Sequence, residues 1–261
     1  WAMVRDNVTG LIWEVKTDDG SIHDRNNVYD LLGAQEIFLA ELKNTRFGGR
    51  SNWRLPTINE LFSIADLSRS NPTLNTGFFP NTVPYTYTSA TINPAPFDFV
   101  GDIYGINFSS GDFVSKYRLN KYEGFDGYVR AVCDSELAGS FNDNKDGTVT
   151  DSKTGLMWQQ AYSGPMSWQE AFSYCENLEL ANFSDWRLPT IKELTSIVTY
   201  GRHSPTVYPD YFFGITENTM ENGLYWSSTS KSSDTAWAYS YFYTSLTCFI
   251  KKTYDIGVRS V

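Results

Sequence analysis

One short acidic stretch has the spacing of a metal site. Residues 142–148 read Asn-Asp-Asn-Lys-Asp-Gly-Thr, so oxygen-bearing side chains stand at the alternate positions Asn142, Asn144 and Asp146 before a glycine. The first half of a calcium-binding loop has this pattern. However, Lys153 stands where the bidentate glutamate of such a loop should follow, and Asp-Gly is by itself a hairpin signal. The stretch predicts either calcium binding or a hairpin turn alone, and calcium is the one cofactor that the sequence suggests.

The histidines and cysteines do not form a catalytic pattern. The chain has two histidines, His23 and His203, and neither has a matching residue in the other half of the chain. A Ser-His-Asp triad or a His/Cys metal site needs a spacing that these residues lack. The three cysteines, Cys133, Cys175 and Cys248, are an odd number and do not decide the redox compartment. The sequence therefore favours a protein that is not an enzyme.

Aromatic and hydroxyl side chains are concentrated near the carboxyl end. In a β-strand over residues 237–243, Trp237, Tyr239 and Tyr241 would lie on the same face. We expect this face to be part of the core. The other face and the following loop are expected to be exposed. Tyrosine and serine on a rigid scaffold are typical of antibody paratopes, although ordinary amphipathic strands are the alternative. The candidate ligand-binding residues are Phe242, Tyr243, Ser245, Thr247, Phe249, Lys251 and Tyr254.

The elements that would carry these residues occur twice. Residues 53–73 and 186–206 are identical at 13 of 21 positions without a gap, and both begin Trp-Arg-Leu-Pro-Thr-Ile. Such a match indicates an internal duplication. The chain of 261 residues is then expected to form two domains, residues 1–135 and 141–261, joined by the small polar segment 135–140.

The repeated segment predicts the start of a helix. Proline disfavours helix in the residue before it, so Trp-Arg-Leu should be extended. Thr57 and Thr190 then stand at N-cap positions, with Glu60 and Glu193 three residues later, which is the pattern of a capping box. Because the capping rule explains the spacing of these glutamates, we assign them to helix capping rather than to acid–base catalysis.

The remaining patterns predict the architecture of each copy. Another capping box, at Ser167 and Glu170, predicts a helix in the second copy, and residues 34–42 predict its counterpart in the first. Each copy closes on a Val-Arg strand that contains Arg130 or Arg259. The fold class is therefore α+β, with two helices packed on an irregular antiparallel sheet in each domain. The other predicted strands are residues 85–91, 103–108, 224–229 and 237–243.

Composition disfavours several classes of partner. The net charge of −9 is spread over the chain, and no basic run is present. Nucleic acids and other polyanions are therefore disfavoured as ligands on Coulombic grounds. No apolar run approaches the roughly 18 residues that a transmembrane helix needs. The 17 Tyr and 8 Trp exceed what a minimal core requires, and such amphipathic rings are typical of recognition surfaces.

The order of the motifs resembles a known family. Thr-Gly-Leu-Met-Trp at 154–158, Asp-Trp-Arg-Leu-Pro-Thr at 185–190 and Tyr-Trp-Ser-Ser-Thr at 225–229, followed by a closing Val-Arg, are similar to the DUF1566 family, also called the Lcl C-terminal domain. The resemblance covers nearly the whole chain as two tandem copies, of which the first is looser, with Tyr-Thr-Ser-Ala-Thr at 87–91. It implies a C-type-lectin-like fold. The carboxyl-terminal region also resembles the variable proteins of diversity-generating retroelements.

The resemblance also bears on the cysteines and on the ligand. It implies a disulfide between the first helix and the closing strand, and Cys175 and Cys133 each stand at one half of that pair, but in different copies. Glu41 is the residue that we align with Cys175 in the first copy. Buried reduced thiols are the alternative. The family's best-known member binds sulfated glycans, whereas a chain of net charge −9 should bind polyanions poorly.

We therefore expect a non-enzymatic binding protein, lectin-like or adhesin-like. The resemblance implies that it is bacterial and lies outside the cell, on the cell surface or in the periplasm. It would recognise a glycan or protein on a cell surface through loops of the second copy. One alternative is an enzyme related to the formylglycine-generating proteins of the same fold, which would need a reactive cysteine pair. Another is a structural spacer in a larger adhesin.

Overall fold

In a computed structural model, the chain forms two compact units of similar architecture, Trp1–Leu137 and Ala138–Val261. Both units combine β-sheets with few helices, so the predicted α+β class is confirmed. No helix among the residues that the structure describes is both long and apolar enough to cross a membrane. The described residues are 2–92, 103–116, 126–134, 141–199, 207–208, 210–212, 223–241 and 246–261.

The first unit contains a five-stranded and a three-stranded sheet. Its helical elements are α1 (Leu31–Gly33), a π-helical segment (Ala34–Leu39), α2 (Ala40–Asn44), a 3₁₀ turn (Phe47–Gly49) and α3 (Ile58–Ser63). Its strands are β1 (Met3–Arg5), β2 (Ile12–Glu14), β3 (Val28–Tyr29), β4 (Thr86–Ile92), β5 (Ile103–Asn107), β6 (Asp112–Lys116), β7 (Gly127–Tyr128) and β8 (Val132–Cys133). The sheet orders are β3-β7-β4-β5-β6 and β1-β2-β8.

The second unit repeats the five-stranded sheet of the first, whereas its three-stranded sheet has a different strand order. Its helices are α4 (Trp168–Glu176) and α5 (Ile191–Ser196). Its strands are β9 (Phe141–Asp143), β10 (Thr148–Asp151), β11 (Met157–Gln159), β12 (Ser163–Met166), β13 (Leu224–Ser230), β14 (Thr235–Ser240), β15 (Leu246–Lys251) and β16 (Ile256–Val258). The five-stranded order is β12-β16-β13-β14-β15, and the pair β13–β16 is parallel, as is β4–β7 in the first unit. The linker predicted at 135–140 lies outside the described residues.

The repeated Trp-Arg-Leu-Pro-Thr segment is extended and joins the closing strand in both units. Arg54 exchanges two backbone hydrogen bonds with Val132 in the first unit, each 2.9 Å long. Arg187 does the same with Val261 in the second, at 3.0 Å. Proline keeps the segment extended, and this backbone pairing places the next residues at the start of a helix.

The predicted capping boxes are confirmed. The Thr57 hydroxyl accepts a hydrogen bond from the Glu60 amide, and the Glu60 carboxylate accepts one from the Thr57 amide at 2.7 Å. The same reciprocal pair opens α5, and Ser167 opens α4 in this way. Arg54 also donates two hydrogen bonds to the Glu60 carboxylate, at 2.6 and 2.7 Å. These glutamates therefore hold the turn from extended segment to helix.

Helices cover both faces of the five-stranded sheet in the second unit. On one face, Ala238 of β14 packs with Ala171 and Cys175 of α4. The odd-numbered residues of this segment face the other way. On that side the hydroxyl of Tyr241 donates a hydrogen bond to the Leu194 carbonyl of α5 at 3.2 Å. A strand in such a position is buried on both sides.

This arrangement corrects one prediction about residues 237–243. Trp237, Tyr239 and Tyr241 are buried, as the alternation predicted. The expectation that the opposite face is exposed is wrong for Ala238 and Ser240, which are buried as well. Period-two alternation identifies which residues share a face, but it does not say whether a helix covers the second face.

A fully buried arginine lies in the core of each unit. In the first unit, Arg130 donates to the Glu14 carbonyl at 2.7 Å, and its guanidinium lies 5.0 Å from the ring centre of Phe79 and 5.7 Å from that of Tyr87. Cation–π contacts of this kind offset part of the cost of burying the charge. The counterparts in the second unit, at the same three distances, are Arg259, the carbonyl of Gln159, Phe212 and Tyr225.

Beside this arginine the first unit buries a carboxylate. Glu14 is fully buried, and its side chain lies 3.0 Å from Nζ of Lys16 and 2.8 Å from Nδ1 of His23. It also accepts a hydrogen bond from the Ala131 amide at 3.1 Å. Burial opposes the charge, but Lys16 and these hydrogen bonds outweigh it, so the pKa of Glu14 lies below its ordinary value.

The second unit has a neutral residue at the same position. Gln159 accepts a hydrogen bond from the Ser260 amide at 3.3 Å through Oε1, and its Nε2 donates to the Tyr174 hydroxyl at 2.8 Å. The residue two positions further on is Ala161, where the first unit has Lys16. The same backbone site is therefore ionic in the first unit and neutral in the second.

Candidate binding surface of the second unit

The described candidate residues lie on β15 and in the turn after it. Among the described strands, β15 pairs only with β14 and so forms an edge of the sheet. Phe249 and Lys251 alternate along β15 and are exposed, and Tyr254 in the next turn is 56% exposed. Thr247 lies in β15, but its side chain is not described. The other three candidates, Phe242, Tyr243 and Ser245, lie outside the described residues.

Phe249 is exposed on one side and supported on the other. Its side chain is 45% exposed, and its ring centre lies 4.8 Å from that of the buried Trp237, at an interplanar angle of 79°. The ammonium of Lys231 lies 4.9 Å from the centres of both rings. An edge-to-face pair and a cation over both rings hold the Phe249 side chain in one orientation. The ring is therefore presented to solvent in a favoured orientation.

A second lysine joins the hairpin to the start of α4. Lys252 lies 4.1 Å from the ring centre of Trp168, and its ammonium donates to Ser230 Oγ at 2.9 Å and to the Ser232 carbonyl at 3.0 Å. The Trp168 indole in turn donates to the Ser227 carbonyl at 2.8 Å. These contacts brace the turn between β13 and β14 from behind. The sequence interpretation missed this role, and the only signal was a lysine pair just before Tyr254.

The surface is locally basic in an acidic chain. Lys231, Lys251 and Lys252 lie in or beside the hairpin, together with the carboxylate of Asp234. The Ser232 hydroxyl donates to that carboxylate at 2.7 Å, and this hydrogen bond lowers the pKa of Asp234. Charges and hydroxyls thus surround one exposed ring, which suits a ligand with both polar and apolar parts.

The predicted calcium stretch forms the hairpin turn between β9 and β10. Asn142 pairs with Thr150 across the two strands. Asn144 donates through Nδ2 to the Thr148 hydroxyl at 2.9 Å, and Asp146 accepts from the Thr148 amide at 3.0 Å. Among the described residues, no group of three or more His, Cys, Asp or Glu side chains could hold a metal ion. Calcium binding at this turn stays a prediction.

Both described cysteine side chains are buried free thiols. Burial raises the pKa of Cys133 to about 11. Burial also raises the pKa of Cys175, whose Sγ accepts a hydrogen bond from the Ser260 hydroxyl at 3.2 Å. A thiol acts as a nucleophile only after it loses its proton, so neither environment activates the sulfur. Cys248 lies in β15, and its side chain is not described.

Comparison with known proteins agrees with the duplication. The family model described as the Lcl C-terminal domain matches residues 2–133 and, a second time, residues 147–261. No curated protein and no solved structure matches the chain. The two matches together cover most of the sequence and coincide with the two units of the fold. The chain belongs to the Lcl C-terminal domain family and carries two copies of that domain in tandem.

Proposed function

We propose that the chain is a non-enzymatic, lectin-like or adhesin-like protein that binds a glycan or protein on a cell surface through the Phe249 surface, defined as Phe249, Lys231, Lys251 and Tyr254. The observation that carries the proposal is the exposed ring of Phe249, fixed by a buried tryptophan and a lysine. The fold would be C-type-lectin-like. The protein would act outside a bacterial cell, on its surface or in the periplasm.

A pre-oriented ring is suited to binding. Ordering a flexible side chain at an interface costs roughly 0.5–1.5 kcal/mol, and a side chain that is already held avoids most of this cost. Binding energy is usually concentrated in a few aromatic or arginine side chains near the centre of an interface. Phe249 is such an aromatic side chain, and the exposed Lys251 and Tyr254 follow it in β15 and in the next turn.

The cysteine environments support a binding role over the enzymatic alternative. Chemistry of the formylglycine-generating type would require a reactive cysteine pair. Cys133 and Cys175 are buried, and burial raises the pKa of both thiols. If the chain is instead a structural spacer, no exposed side chain should matter for binding. Substitution of Phe249 therefore distinguishes the spacer hypothesis from our proposal.

The test is binding of the intact, labelled chain to a glycan array and to cells that are untreated, treated with periodate or treated with protease. We expect Phe249→Ala to weaken binding by about 2 kcal/mol, or roughly thirtyfold, because it removes a central anchor. Tyr254→Ala should have a smaller effect. Periodate sensitivity would identify a glycan, and protease sensitivity would identify a protein.

The matched control is Ser115→Ala in the first unit. Ser115 pairs with Tyr104 across the sheet as Phe249 pairs with Trp237, so the two positions correspond. The control variant should bind like the original chain. Because Lys231 and Lys251 are exposed on this surface, added salt should weaken the binding of an anionic ligand and should have little effect on a neutral one. Unchanged binding of Phe249→Ala, with the fold intact, would overturn the proposal.

A further inference from the structure

The first unit contains a cleft of about 650 Å³ between its helical region and the repeated segment. This volume is in the range of pockets that hold small molecules. The helical side includes the π-helical segment, a geometry that often marks functional sites. The residues that line the cleft are Gln35, Leu39, Lys43, Arg54, Leu55, Thr57 and Ala90.

A constant difference of 133 in residue number relates the helical regions of the two units. Leu42 and Cys175, which this difference pairs, are both fully buried. The indole of Trp53 donates to the Phe47 carbonyl, and its counterpart in the second unit donates to the carbonyl 133 residues further on. The alignment of Cys175 with Glu41 is therefore wrong, because Glu41 is exposed. It failed by one residue, because the sequences of the two helical regions are too different to fix the register.

The corrected alignment explains the cleft. Gln35 and Leu39 correspond to Trp168 and Phe172. In the second unit these two rings lie edge to face at 4.7 Å, and the Trp168 indole donates to the Ser227 carbonyl at 2.8 Å. The first unit has an amide and a leucine at the matched sequence positions, and both line the cleft, so smaller side chains stand beside this space than in the second unit.

The mouth of the cleft also differs in charge. Lys43 is exposed and makes no ion pair with any other described residue, whereas Glu176 holds the corresponding position in the second unit. Arg54 lines the cleft while its charge is balanced by Glu60 at 2.6 Å. The cleft therefore combines an apolar floor, at Leu39 and Leu55, with the charge of Lys43 at its rim, which no described residue of the chain neutralises.

We propose that this cleft binds a small molecule that carries a flat aromatic ring and a carboxylate. The ring would occupy the place that Trp168 and Phe172 fill in the second unit. The carboxylate would lie near Lys43, whose exposed ammonium can donate a charge-assisted hydrogen bond. The site is independent of the Phe249 surface, so either proposal can fail without the other.

Titration of the intact chain with indole-3-acetate, followed by NMR, tests the proposal. A ligand of this size should bind with a Kd on the order of 1 mM. Indole-3-acetamide, which lacks the charge, should bind about fivefold more weakly. Cyclohexylacetate, which lacks the flat ring, should also bind more weakly. Absence of saturable binding by indole-3-acetate would overturn the proposal.

Three variants locate the site. Gln35→Trp combined with Leu39→Phe copies the second unit and should abolish saturable binding. Lys43→Glu, an exposed change that should not disturb folding, should weaken binding about fivefold. Glu176→Lys in the second unit is the matched control and should change nothing. If Lys43→Glu binds indole-3-acetate as well as the original chain does, the assignment to this cleft is wrong. This conclusion holds even if the variant with Gln35→Trp and Leu39→Phe fails to fold.

Discussion

Glu14 and Gln159 stand at the same position of the two units, yet one is a buried ion and the other is neutral. Glu14 is held by Lys16, His23 and a backbone amide. Gln159 makes the corresponding backbone contact, and one tyrosine hydroxyl takes the place of Lys16 and His23. Both solutions satisfy the polar groups, which is the condition for burying them without a large loss of stability.

The difference indicates how a duplicated fold can diverge. The shared elements are local or geometric: the capping boxes, the buried arginine and the extended segment beside the closing strand. The side chains that fill the space between these elements differ, and so do the exposed surfaces. The first unit has an ionic core site and a cleft beside its helical region, whereas the second has a neutral core site and an exposed aromatic ring on its edge strand.

The largest effect should follow from removing the buried charge. Glu14→Gln leaves Lys16 buried without its carboxylate, so we expect the first unit to lose about 3–5 kcal/mol of stability. Glu14→Gln combined with Lys16→Met removes both charges while keeping the stem that packs near Phe38, and should recover most of the loss. Hydrogen exchange of core amides of the first unit measures both values. An equal loss in the single and double variants would show that the ion pair is not the cause.

The buried charge of Glu14 should also make the stability of the first unit depend on pH. Because the pKa of Glu14 is lowered in the folded state, its charge stabilises the first unit above about pH 4.3, the unfolded value, and this contribution is lost as the pH falls through the folded pKa. The variant that carries Glu14→Gln and Lys16→Met lacks this contribution. Unfolding free energies between neutral pH and about pH 3 should therefore fall more steeply in the original chain. Parallel curves would contradict this explanation.

The ion pairs Arg54–Glu60 and Arg187–Glu193 should contribute different amounts to stability. The Glu60 side chain is 3% exposed, whereas that of Glu193 is 21% exposed. We expect Glu60→Gln to cost about 2 kcal/mol and Glu193→Gln about 1 kcal/mol, because solvent screens the second pair more. Denaturant unfolding of the two variants gives the comparison. Equal costs would mean that burial does not govern these pairs.

The smallest expected effect concerns the caps, where the units should agree. Thr57→Ala and Thr190→Ala should each cost about 1 kcal/mol by removing an N-cap. Neither change should alter binding at the Phe249 surface. Denaturant unfolding and the cell-binding assay measure the two quantities. A variant that lost binding but kept its stability would show that the repeated segment is a ligand site.

Features set by neighbouring residues could be predicted from the sequence. The capping boxes at Thr57 and Thr190 depend on residues three apart, and the core face of Trp237, Tyr239 and Tyr241 follows from alternation. Features set by distant residues could not. The sequence around Glu14 gives no sign that its carboxylate accepts a hydrogen bond from the amide of Ala131, 117 residues later.

The candidate site shows the same limit. Exposure of Phe249 and Tyr254 was predicted from composition and position. The support of Phe249 by Lys231 was not, because it requires the β13–β14 hairpin to bring two strands together. The cleft in the first unit was also missed, since it becomes visible only when Gln35 is aligned in space with Trp168.

Exchange of the two residues at corresponding positions tests whether the second unit binds through a ring that is missing at that place in the first unit. Phe249→Ser gives the second unit the residue of the first, and Ser115→Phe does the reverse. We predict that Phe249→Ser weakens binding to the cell-surface ligand about thirtyfold in a chain that remains folded at the assay temperature, while Ser115→Phe does not weaken it. Equal affinities of Phe249→Ser and the original chain would contradict it.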